Sequence, residues 1–224
     1  MDYTLQFSVI WNNLGLLIQG IFLTLQLALT SISLGLVLGI LGALGRTSGN
    51  RFFNGIAVVY VEFIRNTPFL IQLFFFFFGL PSAGLKLSSW QAAVLALAIN
   101  FGAYSTEIVR AGIEGIRQGQ IEAGMALGLS KFKIFQRIVL IPALGNIYPS
   151  LVSQIVIAIL FTSVVSQISA EELTFVGNYL QSRTFRSFEI YLTIALIYVG
   201  IVWFIKGIAF VIQKRFFRFM QYSR

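Results

Sequence analysis

The chain has 224 residues, of which 57% are hydrophobic and only 11% charged, with a mean hydropathy of +0.85. An ordinary soluble domain carries roughly 25% charged residues, so lipid rather than water must cover much of this surface. Cysteine and histidine are both absent, which excludes disulfides, thiol catalysis, Cys/His metal sites and imidazole acid–base chemistry.

The formal charge of +8 and the pI near 10.1 do not point to nucleic acid, because the Lys and Arg residues sit in short loops between apolar runs. That pattern sets membrane topology. A bilayer core takes about 20 apolar residues as a helix. Five segments meet that need, roughly 14–44, 56–80, 90–110, 140–165 and 190–212. The expected fold is an all-α integral membrane protein of five transmembrane helices, with residues 1–224 forming a single domain.

The first run is too long for a signal-peptide core, has no basic residue before it and is followed by Arg46 and Arg51. It is expected to remain as an uncleaved anchor with its N-terminus outside. Within it Gly35, Gly39 and Gly42 fall at i, i+4 and i+7, a small-residue stripe that lets another helix approach closely.

In the second run Pro68 follows Arg65, Asn66 and Thr67, and a kink or helix start belongs there because proline removes a helical hydrogen bond. Residues 68–80 alone are too short to cross, so the span begins upstream and carries Glu62 and Arg65 to the membrane edge at i, i+3 on one helix face. Two readings stand: a mutual ion pair, or a gating or subunit-contact role. The run of Phe at 74–78 faces lipid and neighbouring helices, with no cofactor required.

Arg110, Arg117, Lys131, Lys133 and Arg137 follow the third run, and Lys214, Arg215, Arg218 and Arg224 form a basic tail. The alternate loops hold only Lys86, Arg183 and Arg186. By the positive-inside rule the first set and the C-terminus are cytoplasmic, and the N-terminus and the loops near 80–89 and 166–189 are outside.

The most informative stretch is the loop at about 114–138. Residues 121–127 are predicted to form a short helix in which Ala123, Gly124 and Ala126 keep the side chains small, and Gly128 supplies the residue favoured just past a helix C-terminus. Ser130 caps a second helix, with Leu129 and Ile134 placed as a hydrophobic staple. On physics alone this is either a rigid protrusion to be gripped or a hairpin lying on anionic headgroups through its basic residues.

The order of residues resembles the coupling loop of ATP-binding-cassette importer permeases, in which Glu-Ala-Ala, three residues, Gly, nine residues and Ile-x-Leu-Pro contact the ATPase. Glu122, Ala123, Gly128, Ile138 and Leu140 match in register. Gly124 stands for the second Ala, and Pro142 arrives one residue late, behind Ile141. The polar amino acid subfamily is also similar at residues 63–68 (Phe-Ile-Arg-Asn-Thr-Pro), 72–74, 78–81, 107–113 (Glu-Ile-Val-Arg-Ala-Gly-Ile), 172–174 and 181–191.

The resemblance implies the fold of a type I importer transmembrane domain in a bacterial inner membrane and a second permease subunit, identical or homologous. It also implies a pair of cytoplasmic ATPases on the loop residues Glu122, Ala123, Gly124, Ala126 and Gly128, and an extracytoplasmic binding protein that delivers a polar amino acid. The chain has no Gly-x-x-x-x-Gly-Lys-Ser/Thr loop, so nucleotide is expected on a partner, with no catalytic residue, cofactor or metal here. A secondary transporter is the rival, although no internal repeat is evident. An intramembrane enzyme using Ser163 or Ser166 lacks a histidine, or a lysine in the same span, as base.

Candidate substrate contacts are the polar residues inside spans three and four: Ser150, Ser153 and Gln154 on one helical face, with Asn100, Thr162 and Ser163. Interhelical hydrogen bonding is the alternative for each. Leu160 and Phe161 precede Thr162 and Ser163 where family members often carry charge, so a neutral or acidic amino acid is expected rather than a cationic one.

Overall fold

The computed structural model describes residues 4–216, and among them every regular element is helical. A short turn of helix at Ser8–Asn12 leads into α1 (Leu14–Thr47). Next come α2 (Arg51–Arg65), α3 (Phe69–Ser82), α4 (Ser89–Glu114), α5 (Gln118–Ala126), α6 (Lys131–Ile168), α7 (Leu173–Thr184) and α8 (Ser187–Phe216). Four of these, α1, α4, α6 and α8, are each long and apolar enough to cross a membrane. The fifth expected span is α2 with α3, broken between Arg65 and Phe69 and bent by 107°.

The centre of the bundle is the seam between α1 and α4, made by the glycine stripe. A Cβ on Gly35 would stand 2.7 Å from the Ala98 carbonyl oxygen, and one on Gly39 would stand 2.6 Å from Ser105 Cβ. Only hydrogen fits at these points, so the two backbones meet at a distance larger side chains would forbid. Around the seam Leu27, Leu73, Ala93, Leu97 and Val165 form a closed apolar core, and Phe69 stacks on Phe161 with ring centroids 5.0 Å apart.

The break in the second span follows from sequence. Pro68 is extended at φ −63° and ψ 137° and starts α3, while the Gln72 side chain folds back over the gap. Its Nε2 donates to the Ile64 carbonyl at 2.7 Å, to the Thr67 carbonyl at 3.1 Å and to Thr67 Oγ1 at 2.9 Å. The Ile64 carbonyl at the end of α2 is thereby satisfied inside the protein, while the Asn66 and Thr67 side chains take those of Glu62 and Phe63.

In α6 a π-helical stretch, Ile134–Leu140, ends two residues before Pro142. A proline ring displaces the carbonyl four residues back, here that of Ile138, and a wider helical turn relieves the clash.

The two ends of the bundle are tied separately. At one, Gln6 N donates to Glu189 Oε1 at 2.9 Å and Arg186 Nη1 donates to the Thr4 carbonyl at 3.1 Å. At the other, Arg46 at the end of α1 pairs with Glu107 of α4 at 3.2 Å. The start of the chain and the 166–189 segment therefore share one end, as the alternating charge of the loops requires. Arg218 and Arg224 of the basic tail lie outside the described residues.

Candidate functional site: the loop after α4 and the cleft beside it

The loop after α4 is a helix, a tight turn and a second helix. The first helix, α5, starts at Gln118 and ends at Ala126, slightly offset from the expected 121–127. Gly128 takes φ +71°, the left-handed conformation. Its N–H donates to the Met125 carbonyl at 2.9 Å, and the N–H of Leu129 reaches back to the Gly124 carbonyl at 3.1 Å. This pair of bonds is the Schellman closure, which depends on a residue that tolerates positive φ. Ser130 then caps α6, its Oγ accepting from Lys133 N at 3.4 Å.

Gly124 is the buried member of α5, and a Cβ there would stand 2.6 Å from Ile138 Cδ1. The short helix is thus pressed onto α6 at the residue where the family pattern has alanine. Glu122, Ala123 and Ala126 are exposed, and around them Met125, Leu127, Phe132 and Phe135 show 53%, 80%, 72% and 47% of their surface. Exposed apolar residues clustered on a stiff loop mark an interaction surface.

Beside the loop, α2, α4 and α6 enclose a cleft of about 410 Å³ lined by Arg65, Tyr104, Glu107, Arg110, Asn146 and Ser150, among others. Gly112 lets α6 approach here, since a Cβ on it would collide with Ile147 Cγ2. Arg110 holds Glu107 at 2.7 Å and also pairs with Glu114, while Glu107 takes Arg46 as well.

Glu62 and Arg65 do not form the mutual ion pair that their spacing suggested. Glu62 Oε2 accepts from Asn66 Nδ2 at 3.1 Å, and the Arg65 guanidinium carbon stands 5.3 Å from the Tyr104 ring centroid. Each side chain has a nearer partner, an amide four residues on and an aromatic face on α4.

The candidate substrate residues separate in space. Ser150 and Ser153 are exposed on α6, whereas Gln154 is buried at 6% exposure, so the three do not share an open face. Asn100 is buried and donates to Gln72 Oε1 at 3.0 Å. Thr162 is buried, with its Oγ1 donating to the Ile159 carbonyl at 2.6 Å and lying 3.5 Å from Tyr198 Oη. Ser163 donates to the Leu160 carbonyl at 2.7 Å.

Sequence reasoning missed a buried carboxylate. Glu172 is fully enclosed, caps α7 by accepting from Thr174 N at 2.8 Å and Phe175 N at 2.7 Å, and accepts from Tyr198 Oη at 2.8 Å. Burial raises its pKa from the ordinary 4.5 to about 7, against the lowering effect of these bonds. The adjacent Glu171 is exposed; the family match at 172–174 marks Glu172 in the sequence but does not say that its carboxylate is buried. Among the described residues no group of acidic side chains is arranged to hold a metal.

Comparison with known proteins fits this architecture. The chain is 37% identical over 210 residues to the glutamine transport system permease protein GlnP of Escherichia coli (strain K12), covering 93% of this chain and 96% of that protein. It is 36% identical over 193 residues to the nopaline transport system permease protein NocM of Agrobacterium fabrum, covering 82% and 80%. A crystal structure of an amino acid ABC transporter with histidines superposes with a TM-score of 0.89 at 32% identity, covering 95% of this chain and all of that one. An inward-facing MetNI methionine ABC transporter shares the fold at a TM-score of 0.74 and 21% identity, over 91% and 97% of the two chains. Residues 31–221 match the family model for the binding-protein-dependent transport system inner membrane component, and the chain belongs to that family.

Proposed function

We propose that the chain is the permease subunit of an ATP-driven importer for polar amino acids, and that residues 122–128 receive the ATPase. The observation that carries this reading is the Schellman-closed turn at Gly128, which holds an exposed apolar patch rigidly at one end of the bundle. A loop that must transmit force has to be stiff, and this one is fixed at its turn, its cap and its seat on Ile138. The relatives named for glutamine and nopaline transport support an amino acid cargo.

Under this reading residues 1–224 act as one permease domain with the loop at about 114–138 as its coupling element. The partners are a second permease subunit, a pair of cytoplasmic ATPases and an extracytoplasmic binding protein. Hydrolysis by the ATPases rocks the spans between outward-open and inward-open states, and the chain itself performs no chemistry.

A neutral or acidic cargo is favoured. Phe161 is turned onto Phe69, and the Glu172 carboxylate behind Thr162 is enclosed and bound to Tyr198, so neither position offers an open carboxylate to a cationic side chain. The test is uptake of labelled amino acids by proteoliposomes holding the complete transporter. ATP-dependent uptake competed by glutamine and glutamate supports the reading. Uptake that ignores ATP and follows an ion gradient supports a secondary transporter instead, and stronger competition by arginine or lysine contradicts the assigned cargo.

A further inference from the structure

The polar lining of the cleft between α2, α4 and α6 divides into two sets. Glu107 and Arg110 are spent on each other and on Arg46 and Glu114. Arg65, Tyr104, Asn146 and Ser150 are not. Arg65 makes no ion pair with any described carboxylate, and its neighbour Glu62 is engaged with Asn66. The Tyr104 hydroxyl, the Asn146 amide and the Ser150 hydroxyl form no hydrogen bond with any described residue. Arg65 feels the charge of Glu107 across the cleft without a direct ion pair, so its N–H donors stay free for a ligand.

The Tyr104 ring fixes the position of the Arg65 guanidinium without using its N–H donors. A planar guanidinium held in this way is suited to a carboxylate, which it can take through two parallel hydrogen bonds. The remaining groups both donate and accept, which an ammonium and a polar side chain require and an inorganic anion does not. Asn146, Ser150 and Ser153 follow at i, i+4 and i+7 on the exposed side of α6, so a polar track continues from the cleft into the membrane-spanning part of the helix.

We propose that this cleft is an inner substrate site, in which Arg65 takes the α-carboxylate of an amino acid while Asn146, Ser150 and the Tyr104 hydroxyl take its ammonium and side chain. The site rests on the importer reading above and adds to it a point of contact at the coupling-loop end of the transport route. A zwitterion of net zero charge with a free carboxylate fits it, and the same molecule with that carboxylate converted to an amide does not.

The experiment uses the purified permease–ATPase complex without nucleotide or binding protein, with L-glutamine and L-glutaminamide as probes in equilibrium binding. ATP-driven glutamine uptake is measured on the reconstituted complete transporter in parallel. The wild type should bind glutamine on the order of tenfold or more tightly than glutaminamide, the worth of one charge-assisted contact. Arg65→Gln should erase that difference, and Arg65→Lys, which keeps a cation over the ring, should retain part of it. If Arg65→Gln does not assemble, Asn146→Ala with Ser150→Ala should weaken glutamine binding in a normally assembled complex. Equal binding of the two probes by the wild type, or wild-type discrimination by Arg65→Gln, overturns the site while leaving the importer reading intact. Absence of ATP-driven uptake by the wild type overturns the importer reading, and the site with it.

Discussion

Asn100 of α4 donates to Gln72 of α3 at 3.0 Å across a buried seam, and the Gln72 amide in turn closes the open end of α2. One side chain thus joins three elements at the bend of the second span. Gln72→Leu should keep the apolar packing but leave the Asn100 amide without its partner and the Ile64 carbonyl with only the 3.3 Å bond from Thr67 Oγ1. An unsatisfied buried polar group costs about 1–3 kcal/mol, so a clear fall in melting temperature is expected. Thermal unfolding of the purified protein in detergent checks this, and an unchanged transition would show that the bend holds without Gln72.

Glu172 predicts a pH dependence. Its folded pKa, about 7, lies above its ordinary value of 4.5, so the folded state holds the proton more tightly than the unfolded chain. Stability from this group is fully present below pH 4.5 and is lost as pH rises through 7. The slope across that window is at most about 1.4 kcal/mol per pH unit. Unfolding followed at several pH values should show this trend, and Glu172→Gln, which stays neutral, should flatten it. A slope that survives the substitution assigns the dependence to another group.

The basic bias of alternate loops predicts an N-terminus outside and a C-terminus in the cytoplasm. Single cysteines at positions 2 and 86 should react with an impermeant thiol reagent in intact cells, and one at position 131 should be protected. Position 2 lies outside the described residues, and positions 86 and 131 bracket α4 from opposite ends. The reverse labelling pattern would invert the topology.

Much of this architecture was legible in the sequence because lipid forces it into local signals. Span lengths, the glycine stripe and the Gly128 turn each depend on a few neighbouring residues whose chemistry admits one solution. The 107° break was only half legible: Pro68 announced a helix start, but Gln72 supplies the clamp from the next helix. The Glu62–Arg65 spacing said only that the two share a face. It could not reveal that Asn66 and Tyr104 would claim them. The Glu172–Tyr198 bond joins residues 26 apart, and such long-range polar contacts leave no periodic trace. Gln154 illustrates the same limit, since a helical face shared with Ser150 does not decide which part of it turns into the core.

If residues 122–128 transmit ATPase motion, Gly128 is the position whose change should break the coupling. Its φ of +71° would place a β-branched residue in a strained backbone, at roughly 1–2 kcal/mol, and set a side chain on the exposed turn. Beyond its chain neighbours no described heavy atom lies within 4 Å of a Cβ there, so the strain is local and the bundle is undisturbed. In reconstituted complexes Gly128→Val should reach the membrane in near-normal amounts while copurified ATPase, substrate-stimulated ATP hydrolysis and uptake all collapse. Wild-type uptake and ATPase recovery in that variant would contradict the assignment and leave the loop as a hairpin resting on the membrane surface.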